Sequence, residues 1–318
     1  MKGLTIALII VGALLFLILL SSFVCFLMAF YSLRKKTTEE YPIPPGKIYE
    51  PHRETMVAWM KEARRMPHDD VTITSFDGLT LYGQYFEGMP NAPIELMLPG
   101  YRGVAERDLC GGVQRAFALG HNVLIVNQRG NDKSEGRVIT FGVREHRDCL
   151  SWIEYILGRF GEDVKIILAG VSMGAATVMI AGGTDLPRQV VGIVADCGYT
   201  SAKDIIQKVI RQLGLPPKLL YPFVRLGGLL YGGFDVEEAS PIEAMKRCRV
   251  PVFFAHGDAD DYVPYEMSVR NHEACAAKKT LFTVNGAGHG LSYILDPEGY
   301  VKALNDIFSE HSTITERN

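Results

Sequence analysis

The strongest constraint on this chain is Gly170-Val171-Ser172-Met173-Gly174, set directly after the apolar run Val164–Ala169. A β-strand that feeds a G-x-S-x-G turn and opens into a helix is a nucleophile elbow. The turn is tight enough to strain the serine backbone, and side chains two positions to either side would meet neighbouring backbone. Glycines at 170 and 174 remove those collisions, so the Ser172 hydroxyl can project above a sheet. Glycine is abundant, 32 of 318 residues, so the five-residue pattern alone says little. Its context says more, with an apolar strand before it and the helix-forming run Met173–Ala181 after it.

A chain of 318 residues with 47% hydrophobic content holds one large α/β domain and an appendage. The net charge of −3 and the scattered basic residues argue against a nucleic-acid partner. The appendage comes first. No charged residue occurs from Leu4 to Leu33. A membrane span needs about 20 apolar residues, whereas the apolar part of a signal peptide runs to about 7–15. The run is apolar on every face and lacks a small-residue cleavage site, so residues 1–36 are expected to be an uncleaved transmembrane anchor. Arg34-Lys35-Lys36 outweighs Lys2 across it, which favours a cytoplasmic catalytic domain. Cys110, Cys149, Cys197, Cys248 and Cys275 have no paired spacing and read as reduced thiols. Residues 37–51, with Tyr41-Pro-Ile-Pro-Pro-Gly46, form a stiff linker, and Met56, Trp59, Met60 and Ala63 mark a helix packed on the domain.

Beyond Pro67 the hydrophobic period is two. Val71–Phe76 and Leu79–Phe86 flank Asp77-Gly78, a hairpin turn. Short apolar strands then alternate with helices: strands at Ile94–Leu98, Val123–Val126, Lys165–Ala169, Val190–Ala195, Pro251–Ala255 and Thr280–Val284, helices near 106–119, 144–159, 173–182, 265–277 and 297–309. This predicts a mostly parallel sheet covered on both faces. More than fifty residues separate the strands ending at Ala195 and starting at Pro251, and such a length is seldom structureless. Its apolar Leu219–Tyr231 stretch predicts a helical lid at about 200–240. The domain is expected over 52–311, with a tail at 312–318.

A serine hydroxyl is a weak nucleophile at neutral pH, so a base must take its proton and a third group must orient the base. His289 lies in Asn285-Gly-Ala-Gly-His-Gly290, a flexible loop between the last strand and the last helix, from which an imidazole can reach back to Ser172. The acid is expected after Pro251–Ala255, where carboxylates stand at 258, 260 and 261. The alternative use of that cluster, a calcium site, lacks the required loop spacing.

The segment His256-Gly-Asp-Ala-Asp-Asp-Tyr-Val-Pro264 resembles the H-G-x-x-D-x-x-V-P signature of α/β-hydrolases. The resemblance maps the acid onto Asp260 and leaves Asp258 and Asp261 as loop caps or solvent-facing groups. It also implies an eight-stranded sheet, the chain order Ser, Asp, His, and an oxyanion hole from the Met173 and Tyr101 backbone N–H groups. Two departures stand out. Pro99 replaces the usual histidine before Gly100-Tyr101, and Asn127-Gln-Arg-Gly-Asn-Asp132 replaces the family's D-x-R-G-x-G, with Arg129 read as structural. Residues about 52–310 resemble bacterial α/β-hydrolases that carry an N-terminal membrane span. That implies a membrane-anchored serine hydrolase cleaving a lipid-like or other hydrophobic ester through an acyl-enzyme. A peptidase, a thioesterase or a non-catalytic binding protein are the alternatives. The mechanism requires no metal and no dissociable cofactor.

Overall fold

In the computed structural model, which describes residues 2–33 and 39–312, eight strands form one sheet in the order β1-β2-β4-β3-β5-β6-β7-β8. The strands are β1 Asp69–Thr74, β2 Thr80–Phe86, β3 Ile94–Leu98, β4 Asn122–Val126, β5 Ile166–Val171, β6 Val190–Asp196, β7 Val252–Gly257 and β8 Lys279–Val284. The hairpin β1–β2 pairs antiparallel and joins the sheet at β4, and every later pairing is parallel. The central strands carry no alternation because both faces are covered: all five residues of β3 and of β4 are buried. One face packs on the helices Glu145–Phe160 and Met173–Gly182, the other on Cys110–Ala118 and Pro297–Ser312.

The helix expected near 106–119 is two pieces, Ala105–Asp108 and Cys110–Ala118, broken at Leu109. The Asn127 and Asp132 departures are mutually compensating. Asn127 Nδ2 donates to Asp132 (2.9 Å), while its Oδ1 accepts from the Ala105 backbone N–H (2.9 Å). Arg129 is structural: it is buried and bonds both Asp148 and Asp77.

The lid comprises the helices Ala202–Gln212 and Pro217–Gly227 and a π-helical turn Gly228–Gly232. It does not float. The N-terminal helix Lys2–Ala29 runs exposed on all sides through Ser21, then docks on the lid along Ser22, Phe26 and Phe30. Gly227 permits the approach, since a Cβ there would lie 2.4 Å from the Ser22 carbonyl oxygen. The chain leaving the helix pairs with 137–139, through Ile139 N–H to Phe30 O and Ser32 N–H to Arg137 O (both 2.8 Å). The basic cluster Arg34-Lys35-Lys36 lies outside the described residues, as does the tail beyond Ser312.

The linker, expected over 37–51, is described from Glu39 onward. Its described part folds onto the domain, with Ile43 buried and a 3-10 turn at Glu50–His52 leading into the helix Arg53–Arg65.

Candidate active site

Ser172 stands between β5 and the helix Met173–Gly182 at φ 57°, ψ −115°, outside the favourable region for an L-residue. Its N–H donates to the Asp196 carbonyl (2.8 Å) and its C=O accepts from Ala176 (3.0 Å), so the strained residue is held from both sides. The flanking glycines are obligatory for the reason the sequence suggests. A Cβ at Gly174 would sit 2.0 Å from the Leu98 carbonyl oxygen, and one at Gly170 would sit 2.2 Å from the Gly174 carbonyl carbon.

The loop after β3, Pro99–Gly103, lies over the serine: a Cβ at Gly100 would fall 3.9 Å from Ser172 Oγ. Gln128 Nε2 donates to the Pro99 carbonyl (2.6 Å), and the Asp108 carboxylate accepts from the Gly100 N–H (3.2 Å). Gln128 thus holds the turn by a route that needs no histidine at 99. Two further bonds tie this loop to the N-terminal helix. Tyr101 Oη donates to the Ala29 carbonyl (2.7 Å), and Arg102 Nη2 donates to the Met28 and Tyr31 carbonyls (2.9 Å each). These carbonyls belong to the helix's last turn and exit, which have no partners within the helix.

His289 and Asp260 are brought together, Nδ1 to Oδ2 at 2.7 Å. Asp260 is saturated with donors. Its Oδ1 accepts the Tyr262 and Val263 backbone N–H groups (2.8 and 2.9 Å), and its Oδ2 also accepts from His256 Nε2 (3.1 Å). Burial alone would raise this carboxyl, but the hydrogen bonds from His256 and His289 outweigh it and hold the acid well below the usual carboxylate range. A permanent carboxylate at Nδ1 fixes the His289 tautomer with Nε2 free to accept a proton. His256, near the end of β7, is a further member of this network. It is fully buried, with Ser268 Oγ at 2.6 Å from Nδ1, and it braces the acid loop. Asp258 caps the Gly286 N–H (2.6 Å), in line with a loop-capping role, and the exposed Asp261 offers its backbone carbonyl to the Lys208 ammonium and to Gln212 Nε2 (2.8 Å).

The link between Ser172 and His289 is open. Among the described residues no hydrogen bond joins Ser172 Oγ to His289, whose Nε2 instead has Cys197 Sγ at 4.0 Å. Catalytic hydrogen bonds of this kind are often long before substrate binds. Cys197, Asp260 and His289 offer donor atoms within 4.8 Å of one another. The set suits a metal poorly, because Asp260 Oδ2 is already shared by two imidazoles and metal binding needs a thiolate. Burial, then the Asp196 and Asp260 charges, push the Cys197 thiol well above its ordinary value.

Two aromatic residues that the sequence reading missed frame His289. The Tyr262 ring lies 5.0 Å from the imidazole, and Tyr49 Oη donates to the His289 carbonyl (3.0 Å), so the linker roofs the histidine loop. A concavity of about 1360 Å³ lies elsewhere, between the linker and the start of the domain. Its rim is charged, with Arg64 and Glu106 paired to each other, and it includes neither Ser172 nor His289.

Comparison with known proteins bears on the fold. A family model described as alpha/beta hydrolase fold matches residues 96–236. An uncharacterized protein of Bacillus subtilis (strain 168), YqkD, is 27% identical over 62% of this chain and 65% of its own length. Protein bem46 of Schizosaccharomyces pombe is 27% identical over 64% of this chain and 63% of its own. The chain thus spans just under two thirds of the curated relatives it matches. Among solved structures, the Pyrococcus furiosus esterase Pf2001 superposes with a TM-score of 0.64 at 20% identity, covering 85% of this chain and 98% of the esterase. The strand order and these likenesses give the chain the α/β-hydrolase fold.

Proposed function

We propose that this protein is a membrane-anchored serine hydrolase that cleaves carboxylic esters through an acyl-enzyme. The observation that carries the reading is the coincidence of a strained, glycine-flanked Ser172 with a His289–Asp260 pair closed at 2.7 Å. His289 Nε2 takes the Ser172 proton as Oγ attacks the ester carbonyl, and Asp260 stabilises the imidazolium that forms. The N–H groups of Met173 and Tyr101 bind the oxyanion, His289 protonates the departing alkoxide, and the same histidine then activates water for deacylation. The apolar cluster that holds Met173, Phe141, Tyr199 and Val263, with Tyr101 packed against it, suits a hydrophobic acyl group. The likeness to an esterase fits the same chemistry. The N-terminal helix, 28 residues with mean hydropathy 3.0 over its most apolar window, is long enough to serve as the anchor.

The test is labelling of the full-length protein by a fluorophosphonate, with Ser172→Ala and His289→Ala beside it. Labelling that vanishes in the first and falls at least about 100-fold in rate in the second is expected of an activated serine. A wild-type protein that is folded yet unlabelled defeats the reading.

A further inference from the structure

The lid carries an exposed apolar tip at Leu229-Leu230-Tyr231, with exposures of 45%, 52% and 38%. Arg225, the nearest charged residue before it in sequence, makes two bonds to Asp235 (2.9 and 2.6 Å) and one to Glu237 (3.2 Å). What should cover the tip follows from where it meets the N-terminal helix. Tyr231 Oη donates to the Leu19 carbonyl (3.0 Å), and its ring packs edge-on against Phe23 at 5.0 Å.

Helix length then sets a depth. With Lys2 outside the hydrocarbon, the run from Gly3 to Ile18 rises only about 24 Å at 1.5 Å per residue. A bilayer core is about 30 Å thick, so roughly four more residues, to about Ser22, must lie within it. Those are the residues that Tyr231 and Gly227 touch. The lid tip therefore stands at the depth where the apolar core gives way to headgroups, with a tyrosine at the level where aromatic side chains concentrate.

We propose that Leu229, Leu230 and Tyr231 are immersed in the bilayer beside the anchor, so that the partner of this face is the acyl region of the membrane itself. The inference rests on the anchor reading above. It deepens the substrate class, because Phe26 of the docked helix and Phe30 just beyond it belong to the same apolar cluster as Met173.

The test uses the full-length protein in phosphatidylcholine vesicles whose acyl chains are brominated near the headgroup end or near the bilayer centre. Tryptophan is placed in one variant at Leu230→Trp and in another at Leu14→Trp, each read against wild type with its two native tryptophans. The added emission at 230 should fall by about half with shallow bromines, the depth of interfacially buried side chains, and at 14 with deep ones. Quenching at 14 but not at 230 leaves the anchor standing and overturns the immersed lid. A second copy covering this face would give that same result. Quenching at neither position overturns the anchor reading and the proposal with it.

Discussion

Phe30→Ala tests whether the N-terminal helix is a tether or a structural part of the catalytic domain. Phe30 is fully buried, and its ring meets Phe141 at 5.8 Å and Phe234 at 5.1 Å, both edge-on, with Phe26 at 6.3 Å. Removing a fully buried phenylalanine side chain costs about 3–5 kcal/mol, of which each edge-on pair supplies roughly 0.5–1.5. For a protein of this size each kcal/mol moves the melting temperature by about 2–3 °C, so Tm should fall by about 6–15 °C. The assay is thermal unfolding of the full-length protein in detergent micelles, with Phe30→Leu as a comparison that keeps an apolar side chain and should lose about half as much. The same cluster contains Met173, with Tyr101 packed against it, so fluorophosphonate labelling should slow in parallel. A Tm within about 2 °C of wild type with unchanged labelling, the behaviour of a surface substitution, would refute the docked helix.

Further outcomes follow from the site. Cys197→Ala should keep fluorophosphonate labelling within a few-fold of wild type, because a buried thiol pushed well above its ordinary value is protonated and a poor nucleophile; loss of labelling would make the cysteine, not Ser172, the reacting group. Asp260→Asn should lower kcat by about 10³–10⁴-fold in steady-state ester hydrolysis, since His289 loses the partner that fixes its tautomer. The folded carboxyl lies below its unfolded value of about 3.9, so wild-type stability is lost as pH falls from about 4 toward the folded pKa. The asparagine variant should show a shallower loss of urea midpoint over that window, and equal slopes would count against the assignment. Gly174→Ala should cost more than about 4 kcal/mol or abolish folding, because its Cβ meets backbone at 2.0 Å. Gly158→Ala, in an open helical position with nothing within 4 Å, should instead stabilise by about 0.5–1 kcal/mol in the same denaturation experiment.

Much of this molecule is local, and what is local was legible. The elbow follows from two glycines and a serine next to an apolar strand, because the sterics that demand them act within five residues. The strands from β3 onward show as unbroken apolar runs because both faces of each are covered. His289 could be picked out because a glycine-rich loop between the last strand and last helix is where chain order and reach coincide. The acid needed the resemblance, since three carboxylates stand within four residues. The structure separates them by their partners: Asp260 holds two imidazoles, Asp258 a backbone N–H, while the exposed Asp261 offers its backbone carbonyl. Other features had no signal in the chain at all. A helix apolar on every face has no period to mark which stripe docks, so only packing against Gly227 and Phe234 selects Ser22, Phe26 and Phe30. Tyr49 and His289 are 240 residues apart, and nothing short-range links them. The sequence by itself determined the setting of Ser172 and the sheet that presents it, because each depends on neighbours along the chain. Only the tertiary structure decided what covers the histidine and what grips the N-terminal helix, because those contacts exist only after distant segments have met.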